Sequence, residues 1–114
     1  MNKPLRIYVA GPISAPTHEE VMHNVRIAEE ITVKLIEKGH YPYTPHLLCH
    51  LNYEASWDFW MLMDDQWLQQ CEALFYIAPS KGADIELARA RGLGLRVFMS
   101  LDEVANARSC LAGM

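Results

Sequence analysis

The sequence is poor in cysteine and has none of the paired cysteine spacings that bind zinc. Its 114 residues include three cysteines, Cys49, Cys71 and Cys110, which stand far apart. An odd number of cysteines without a Cys-x-x-Cys pair argues against a disulfide framework and against a zinc knuckle. We therefore expect a soluble protein in a reducing, cytoplasmic setting, with neither a bound metal nor a cofactor.

Long apolar runs and clusters of basic residues are also missing. The first apolar run stops at Gly11-Pro12, which is too short for a signal peptide and far short of the roughly 20 residues that span a membrane. The net charge is −4, from 14 acidic and 10 basic side chains, and no lysine or arginine cluster is present. Binding to a nucleic-acid polymer or to an anionic membrane is therefore not expected.

The short motifs of several large enzyme classes are absent as well. Residues 11–14 read Gly-Pro-Ile-Ser rather than Gly-x-Gly-x-x-Gly, and the sequence contains no P-loop, Gly-x-Ser-x-Gly or Ser-x-x-Lys motif. His46 and His50 have the spacing of two zinc ligands on a helix, but neither a third ligand nor an adjacent general-base glutamate accompanies them. These absences argue against a dinucleotide site, a P-loop and a metal site.

The composition is that of a folded domain. Apolar residues make up 51% and charged residues 21% of the chain. A chain of this length buries roughly two-thirds of its unfolded surface, so it needs no metal or disulfide to fold. We predict a single domain over residues 1–114.

Strand and helix patterns alternate along this domain. Apolar runs predict strands at residues 5–10, 41–44, 73–78 and 95–99. Amphipathic patterns predict helices at residues 17–38, 56–70 and 80–92, a loop or helical turn at 46–55, and a last helical turn at 101–107. Thr17 and Ser80 are the expected N-caps, while Gly39 and Gly92 are the expected helix stops.

This alternation predicts an α/β fold. Right-handed βαβ units give a three-layer, Rossmann-like or flavodoxin-like sandwich with a mainly parallel sheet of four or five strands. Ligands of such sheets bind at the carboxyl ends of the strands. The loops at these ends are residues 11–17, the segment from Pro45 onward, and residues 79–83.

Asp64 is the most informative polar residue because it falls within an apolar stripe. At about 100° per residue, six side chains lie within about 60° of it: Trp57, Trp60, Met61, Trp67, Leu68 and Cys71. An ionised carboxylate on a buried face is costly and is usually neutralised, paired or functional. Asp64 is therefore either a structural aspartate that hydrogen-bonds a loop or a general acid with a raised pKa.

Glu86 and Tyr8 are the other two candidates. On the 80–92 helix, Gly82 and Ala83 lie beside Glu86 and leave space for a ligand, but a surface ion pair between Glu86 and Arg89 is an equal alternative. Tyr8 lies near the carboxyl end of the first strand. Either its hydroxyl group reaches the cleft, or Tyr8 is an ordinary tyrosine of the core.

Three segments together resemble a known group of enzymes. They are YVAGPIS at residues 8–14, Asp64 followed by WLQQC at 67–71, and SKGADIE at 80–86. The combination resembles the nucleoside 2-deoxyribosyltransferase-like superfamily, which includes the small deoxynucleoside 5′-monophosphate N-glycosidases, and the likeness covers about residues 5–98.

The resemblance implies cleavage of the bond between a sugar C1′ and a nucleobase nitrogen. Glu86 matches the nucleophile, Asp64 the aspartate that handles the base or its proton, and Tyr8 the tyrosine that orients the nucleophile. Ser80 matches the serine at the phosphate or 5′-hydroxyl end. The expected substrate-binding residues are Gly11, Pro12, Ile13, Ser14, His46, Trp60, Ser80, Gly82 and Ala83. We expect Asp64, on its apolar face, to hold its proton more readily than Glu86.

One departure leaves the substrate open. The loop after the first strand lacks the arginines of the monophosphate hydrolases, so a 5′-phosphate is not assured. We take hydrolysis as the simpler expectation, with base transfer and a non-catalytic nucleotide-binding module as alternatives; a structural subunit that docks a partner is the third. The resemblance also implies a homodimer or larger homo-oligomer, for which Trp57, Phe59, Trp60 and residues 101–107 are interface candidates.

Overall fold

The sheet forms the centre of the molecule. In the computed structural model, which describes residues 2–107, the strands are β1 (Arg6–Ala10), β2 (Tyr41–Tyr43), β3 (Ala73–Tyr76) and β4 (Arg96–Phe98). All neighbours pair in parallel, and the strand order is β2-β1-β3-β4. The order reverses between β1 and β3, so a crevice is expected at the carboxyl ends of these two strands.

Three α-helices and two short 3-10 helices connect the strands within residues 2–107. They are α1 (His18–Glu37), the first 3-10 helix (Pro45–His50), α2 (Trp57–Leu68), α3 (Lys81–Gly92) and the second 3-10 helix (Leu101–Glu103). Each α-helix begins at a hydroxyl cap: the side chains of Thr17, Ser56 and Ser80 accept hydrogen bonds from backbone N–H groups at 3.0–3.1 Å. The predicted caps Thr17 and Ser80 are thus confirmed.

The sheet is covered on both faces. Because side chains alternate along a strand, Ile7 and Val9 of β1 point to the α1 side, where they pack with Leu35. Tyr8 points to the opposite side and packs with Leu68 of α2 and with residues of α3. The predicted three-layer α/β sandwich with a parallel sheet is therefore confirmed.

The ends of two helices test the predicted stops. Gly39 follows α1 and has φ +92°, the left-handed conformation that commonly ends an α-helix. A side chain there would collide with the backbone of Ala107. α3 ends at Gly92, as predicted, but the left-handed residue that follows the helix is Gly94, with φ +75°. A sequence with glycines at both positions 92 and 94 does not reveal which one turns.

The C-terminal segment is less helical than expected. Within the predicted turn at 101–107, only Leu101–Glu103 form a 3-10 helix. His40 fastens this segment to the sheet, since Nδ1 accepts from the Leu5 N–H at 3.0 Å and Nε2 donates to the Ala105 carbonyl at 2.7 Å. Cys110 and both ends of the predicted 1–114 domain lie outside the described residues.

None of the helices in residues 2–107 has both the length and the apolar character needed to cross a membrane.

Candidate active site

A cavity of about 500 Å³ opens at the carboxyl ends of β1 and β3. One wall is the loop after β1, the second is the first 3-10 helix with the segment that follows it, and the third comprises α2 and the start of α3. The two buried carboxyl groups of Asp64 and Glu86 both line it. The cavity therefore lies at the position that the strand order favours for a ligand.

Glu86 enters the cavity from the second turn of α3. Its side chain is 6% exposed, and its Oε2 atom accepts a hydrogen bond from the Tyr8 hydroxyl group. Gly82 lies one turn earlier, where a Cβ atom would have only the Met61 sulfur nearby, at 3.5 Å. The small residues at the start of α3 therefore keep the space beside Glu86 open, and the alternative of a surface Glu86–Arg89 pair is wrong.

Tyr8 supports Glu86 from beneath the cavity. The tyrosine is fully buried on β1, and its ring lies 5.6 Å from that of Tyr43. Burial, followed by the negative charge of Glu86, raises the pKa of Tyr8 far above its ordinary value. The hydroxyl group therefore stays protonated and acts as a donor to the carboxylate.

Asp64 lies on α2 with its carboxyl group incompletely satisfied. The residue is 6% exposed, and its buried Oδ1 atom has no hydrogen-bond partner within residues 2–107. Burial raises the pKa of Asp64 to about 6, while the positive charge of Arg89 acts in the opposite direction. Most buried polar atoms have partners, so an orphaned oxygen on a cavity wall is suited to a ligand.

The pKa of Glu86 is also raised, to about 7. Burial is the largest cause; the Tyr8 hydrogen bond and Arg89 lower this pKa, and the charge of Asp64 raises it. Both carboxyl groups are therefore shifted toward the protonated form, and the expectation that Asp64 holds its proton more readily than Glu86 stays a prediction. Glu86 lies between α3 and β1 rather than in a polar helix start, and it is as deeply buried as Asp64.

Most of the predicted substrate-binding residues reach the cavity. Those that line it are Gly11, Ile13, Ser14, Trp60, Ser80, Gly82 and Ala83. Pro12 and His46 are not part of the wall. His46 is buried, and its Nε2 atom lies 3.1 Å from the Pro12 carbonyl oxygen. His46 therefore supports the loop after β1 from behind, and burial lowers the pKa of its imidazole.

Sequence reasoning missed several residues of the wall. They are Pro45, Leu48, Cys49, Leu51, Tyr53, Trp57, Met61 and Lys81. The segment from Pro45 onward was expected at a strand end, but its 3-10 helix, which carries Pro45, Leu48 and Cys49, has no apolar period that would single out its members. Lys81 carries the signal that was available, since it is a basic residue in the first turn of α3, and its Nζ atom lies 4.6 Å from the Trp57 ring centre.

The apolar stripe of α2 is narrower than predicted. Met61, Asp64 and Leu68 are buried, but Trp57 is 42% and Trp67 53% exposed. These three buried positions are spaced by three and four residues, which places them on one face of the helix. The two tryptophans flank that face, and Trp67 stacks on Tyr43 with 5.8 Å between ring centres.

The histidines of the first 3-10 helix have separate roles. His46 is buried behind the loop, whereas the Nε2 atom of His50 lies 3.2 Å from Glu29 on α1. Within the part of the chain that the structure describes, no cluster of three or more histidine, cysteine or acidic residues has the arrangement needed to hold a metal ion.

Comparison with known proteins places the chain in a family without an assigned activity. Residues 6–100 match the family model described as a domain of unknown function, DUF7768, and the chain therefore belongs to that family. A search of the curated proteins found no match.

Two solved structures share the fold. A 2-deoxyribosyltransferase from the psychrotolerant bacterium Bacillus psychrosaccharolyticus has a TM-score of 0.67 and 17% identity, covering 90% of this chain and 92% of that one. A conserved protein from Enterococcus faecalis V583 has a TM-score of 0.59 and 22% identity, covering 82% of this chain and 61% of that one. At these identities the likeness establishes the fold.

Proposed function

We propose that this protein cleaves the N-glycosidic bond of a nucleoside or nucleoside 5′-monophosphate, with Glu86 as the nucleophile and Asp64 as the acid. The observation that carries the proposal is the pair of buried carboxyl groups, one from each of two helices, on the wall of one cavity. One of them is held by a tyrosine, and the other has an oxygen without a partner in residues 2–107.

In the first step, Glu86 attacks the sugar carbon. The Oε2 atom is occupied by the Tyr8 hydroxyl group, which leaves Oε1 to approach C1′. A bond forms between Glu86 and C1′ as the C1′–N bond breaks, and the electron pair of that bond leaves with the base. Asp64 gives its proton to the departing base, which would otherwise leave as an unstable anion.

This step needs one proton on the pair of carboxyl groups. With pKa values of about 6 and about 7, the singly protonated pair predominates between these values. The proton can lie on either residue, but developing positive charge on the sugar favours ionised Glu86, and so does the Tyr8 hydrogen bond. The reactive form therefore has the proton on Asp64.

In the second step, an acceptor attacks C1′ and releases Glu86. If the acceptor is the nitrogen of another nucleobase, the result is base exchange; its proton passes to the carboxylate of Asp64, which restores the starting state. Likeness to a 2-deoxyribosyltransferase supports this outcome. Hydrolysis is the second candidate, because the rim residues Leu51, Tyr53 and Trp57 are exposed and water can reach the cavity.

The cavity walls suggest where each part of the substrate lies. Trp60 contacts the Tyr53 ring edge-on, with ring centres 6.3 Å apart, and this aromatic wall suits a flat base near Asp64. Lys81 is the one lysine or arginine among the described residues of the wall, and it suits an anionic group at the 5′ end of the sugar.

We also propose that the protein acts on small molecules in the cytoplasm as a homo-oligomer. Phe59 and Leu62 expose 46% and 61% of their surface on the outer side of α2, which suits contact with a second copy. Light scattering of the purified protein tests this, since a monomer at assay concentration would contradict it.

The proposed reaction is tested by incubating the protein with nucleosides and their 5′-monophosphates, with and without a second base, and separating the products by chromatography. A new nucleoside indicates transfer, while free base and free sugar indicate hydrolysis. Glu86→Gln should abolish both, whereas Asp84→Asn, an exposed carboxylate on the same helix, should abolish neither. Binding that raises the melting temperature without any product would instead support the nucleotide-binding module.

A further inference from the structure

Arg89 links the two helices that carry the carboxyl groups. It lies three residues after Glu86 on α3, and its Nη1 atom donates to the Met61 carbonyl of α2 at 3.3 Å. Its Nε atom lies 3.7 Å from Asp65 Oδ1, also on α2. Met61 and Asp65 are one helical turn apart and flank Asp64, so the guanidinium group spans α2 at the level of the acid.

Asp65 is itself held for this contact. Its second oxygen, Oδ2, accepts a hydrogen bond from the Gln69 side chain at 2.8 Å. The Asp65 side chain is 21% exposed and that of Arg89 36%, so the pair is half-buried rather than fully solvated. Within residues 2–107, the other polar contact between α2 and α3 is that of Lys81 with the Trp57 ring, at the starts of the two helices.

We propose that Arg89 is a positioning residue for the glycosidic chemistry, holding α2 against α3 so that Asp64 and Glu86 face the same substrate. This inference rests on the proposed function. Arginine suits the task because one planar guanidinium group donates to the Met61 carbonyl through Nη1 and forms an ion pair with Asp65 through Nε, which a compact lysine ammonium group does not reproduce. A displacement of about 1 Å between reacting groups can cost roughly 100-fold in rate.

The charge of Arg89 has a second effect at the same place. It lowers the pKa of both Asp64 and Glu86, against the larger effect of burial. The other titratable groups that face this pair are Asp65 on α2, Tyr8 on β1, Tyr43 on β2, Cys49 on the first 3-10 helix and Lys81 on α3. Burial raises the pKa of Tyr43 to about 12 and also raises the pKa values of Tyr8 and Cys49, so these three stay neutral near pH 7.

The test compares Arg89→Met, Arg89→Lys and the control Arg91→Met, which removes the same charge from an exposed position of α3. Carbon NMR of the carboxyl groups follows the titration of Asp64 and Glu86 without requiring activity. We expect Arg89→Met to move both titrations to higher pH, to shift the pH–rate profile in the same direction, and to lower base release at pH 6 at least about tenfold. Arg91→Met should behave as wild type.

Arg89→Lys keeps the charge but loses the planar guanidinium group. We expect Asp64 and Glu86 to titrate in this variant as in wild type while the rate of base release falls. If Arg89→Met does not fold, Arg89→Lys alone tests the proposal. Titrations and rates of both Arg89 variants equal to those of Arg91→Met would overturn the proposal. If wild type releases no base, the proposed function fails, while unchanged titrations in Arg89→Met would separately refute the role of Arg89.

Discussion

The hydroxyl group of Tyr8 on β1 donates a hydrogen bond to the Oε2 atom of Glu86 on α3, beneath the cavity floor. Because burial keeps Tyr8 protonated, this bond favours the ionised form of Glu86. It also fixes which carboxylate oxygen is free to react. The contact between the first strand and the third helix thus prepares a nucleophile at a buried position.

Tyr8→Phe removes this hydrogen bond and keeps the packing of the ring. We expect the pKa of Glu86 to rise and the turnover number to fall about 10- to 100-fold, with little change in KM. Tyr43→Phe is the matched control, since its ring packs against Tyr8 but it does not line the cavity. Equal rates for Tyr8→Phe and Tyr43→Phe in a steady-state assay would show that the bond does not assist catalysis.

Glu86→Gln should stabilise the protein at alkaline pH while it abolishes turnover. Burial raises the folded-state pKa of Glu86 from 4.5 to about 7. The protonated Glu86 side chain therefore contributes stability that is fully present below pH 4.5. This contribution is lost as the pH rises through 7 and the buried carboxyl group ionises. At about 1.4 kcal/mol per pKa unit, the gain from glutamine at about pH 8 is on the order of 3–4 kcal/mol.

Urea unfolding at about pH 5 and about pH 8 measures this gain. The stability difference between Glu86→Gln and wild type should be larger at the higher pH. A gain that is equal at both pH values would contradict the burial of an ionisable Glu86.

The wild-type rate should depend on pH as a bell. Activity requires the singly protonated pair, so it should rise as the first proton leaves near pH 6 and fall as the second leaves near pH 7. The maximum therefore lies between these two values. A rate that increases steadily up to about pH 9 would contradict a protonated carboxyl group as the acid.

Lys81→Met tests the anionic end of the substrate. Lys81 lines the cavity and lies against the exposed Trp57 ring, so removal of its charge should weaken binding of a 5′-phosphate. We expect kcat/KM for a nucleoside 5′-monophosphate to fall about tenfold relative to the parent nucleoside. Lys34→Met, an exposed lysine on α1, is the control. Equal losses on both substrates would place the phosphate elsewhere or exclude it.

The layers of the fold were predictable because they follow from local patterns. Residues 73–78, ALFYIA, form a continuous apolar run, and β3 lies within those bounds. Thr17 and Ser80 mark helix starts because each side chain accepts a hydrogen bond from the backbone N–H three residues later. Such a short-range pattern can be recognised in the sequence. The position of Glu86 beside Gly82 and Ala83 also follows from helix geometry.

Other features depend on contacts between distant segments. The side-chain direction of Asp64 was predictable, but the raised pKa of Glu86 was not, because it depends on the burial of Glu86 where α3 lies against β1. The sequence left a surface pair between Glu86 and Arg89 as an equal alternative; Arg89 instead bridges to α2, since the tertiary packing brings Asp65 within reach. The first 3-10 helix contributes to the wall through residues that no sequence period distinguishes.

The most direct test of the account is to identify the covalent intermediate. The protein is mixed with a nucleoside that it cleaves, quenched in acid before turnover is complete, digested and analysed by peptide mass spectrometry. We predict a peptide that contains Glu86 and carries the mass of the sugar, absent in Glu86→Gln and present in Asp84→Asn. Base release by wild type with no sugar on Glu86 under any quench time, or undiminished release by Glu86→Gln, would contradict the central claim.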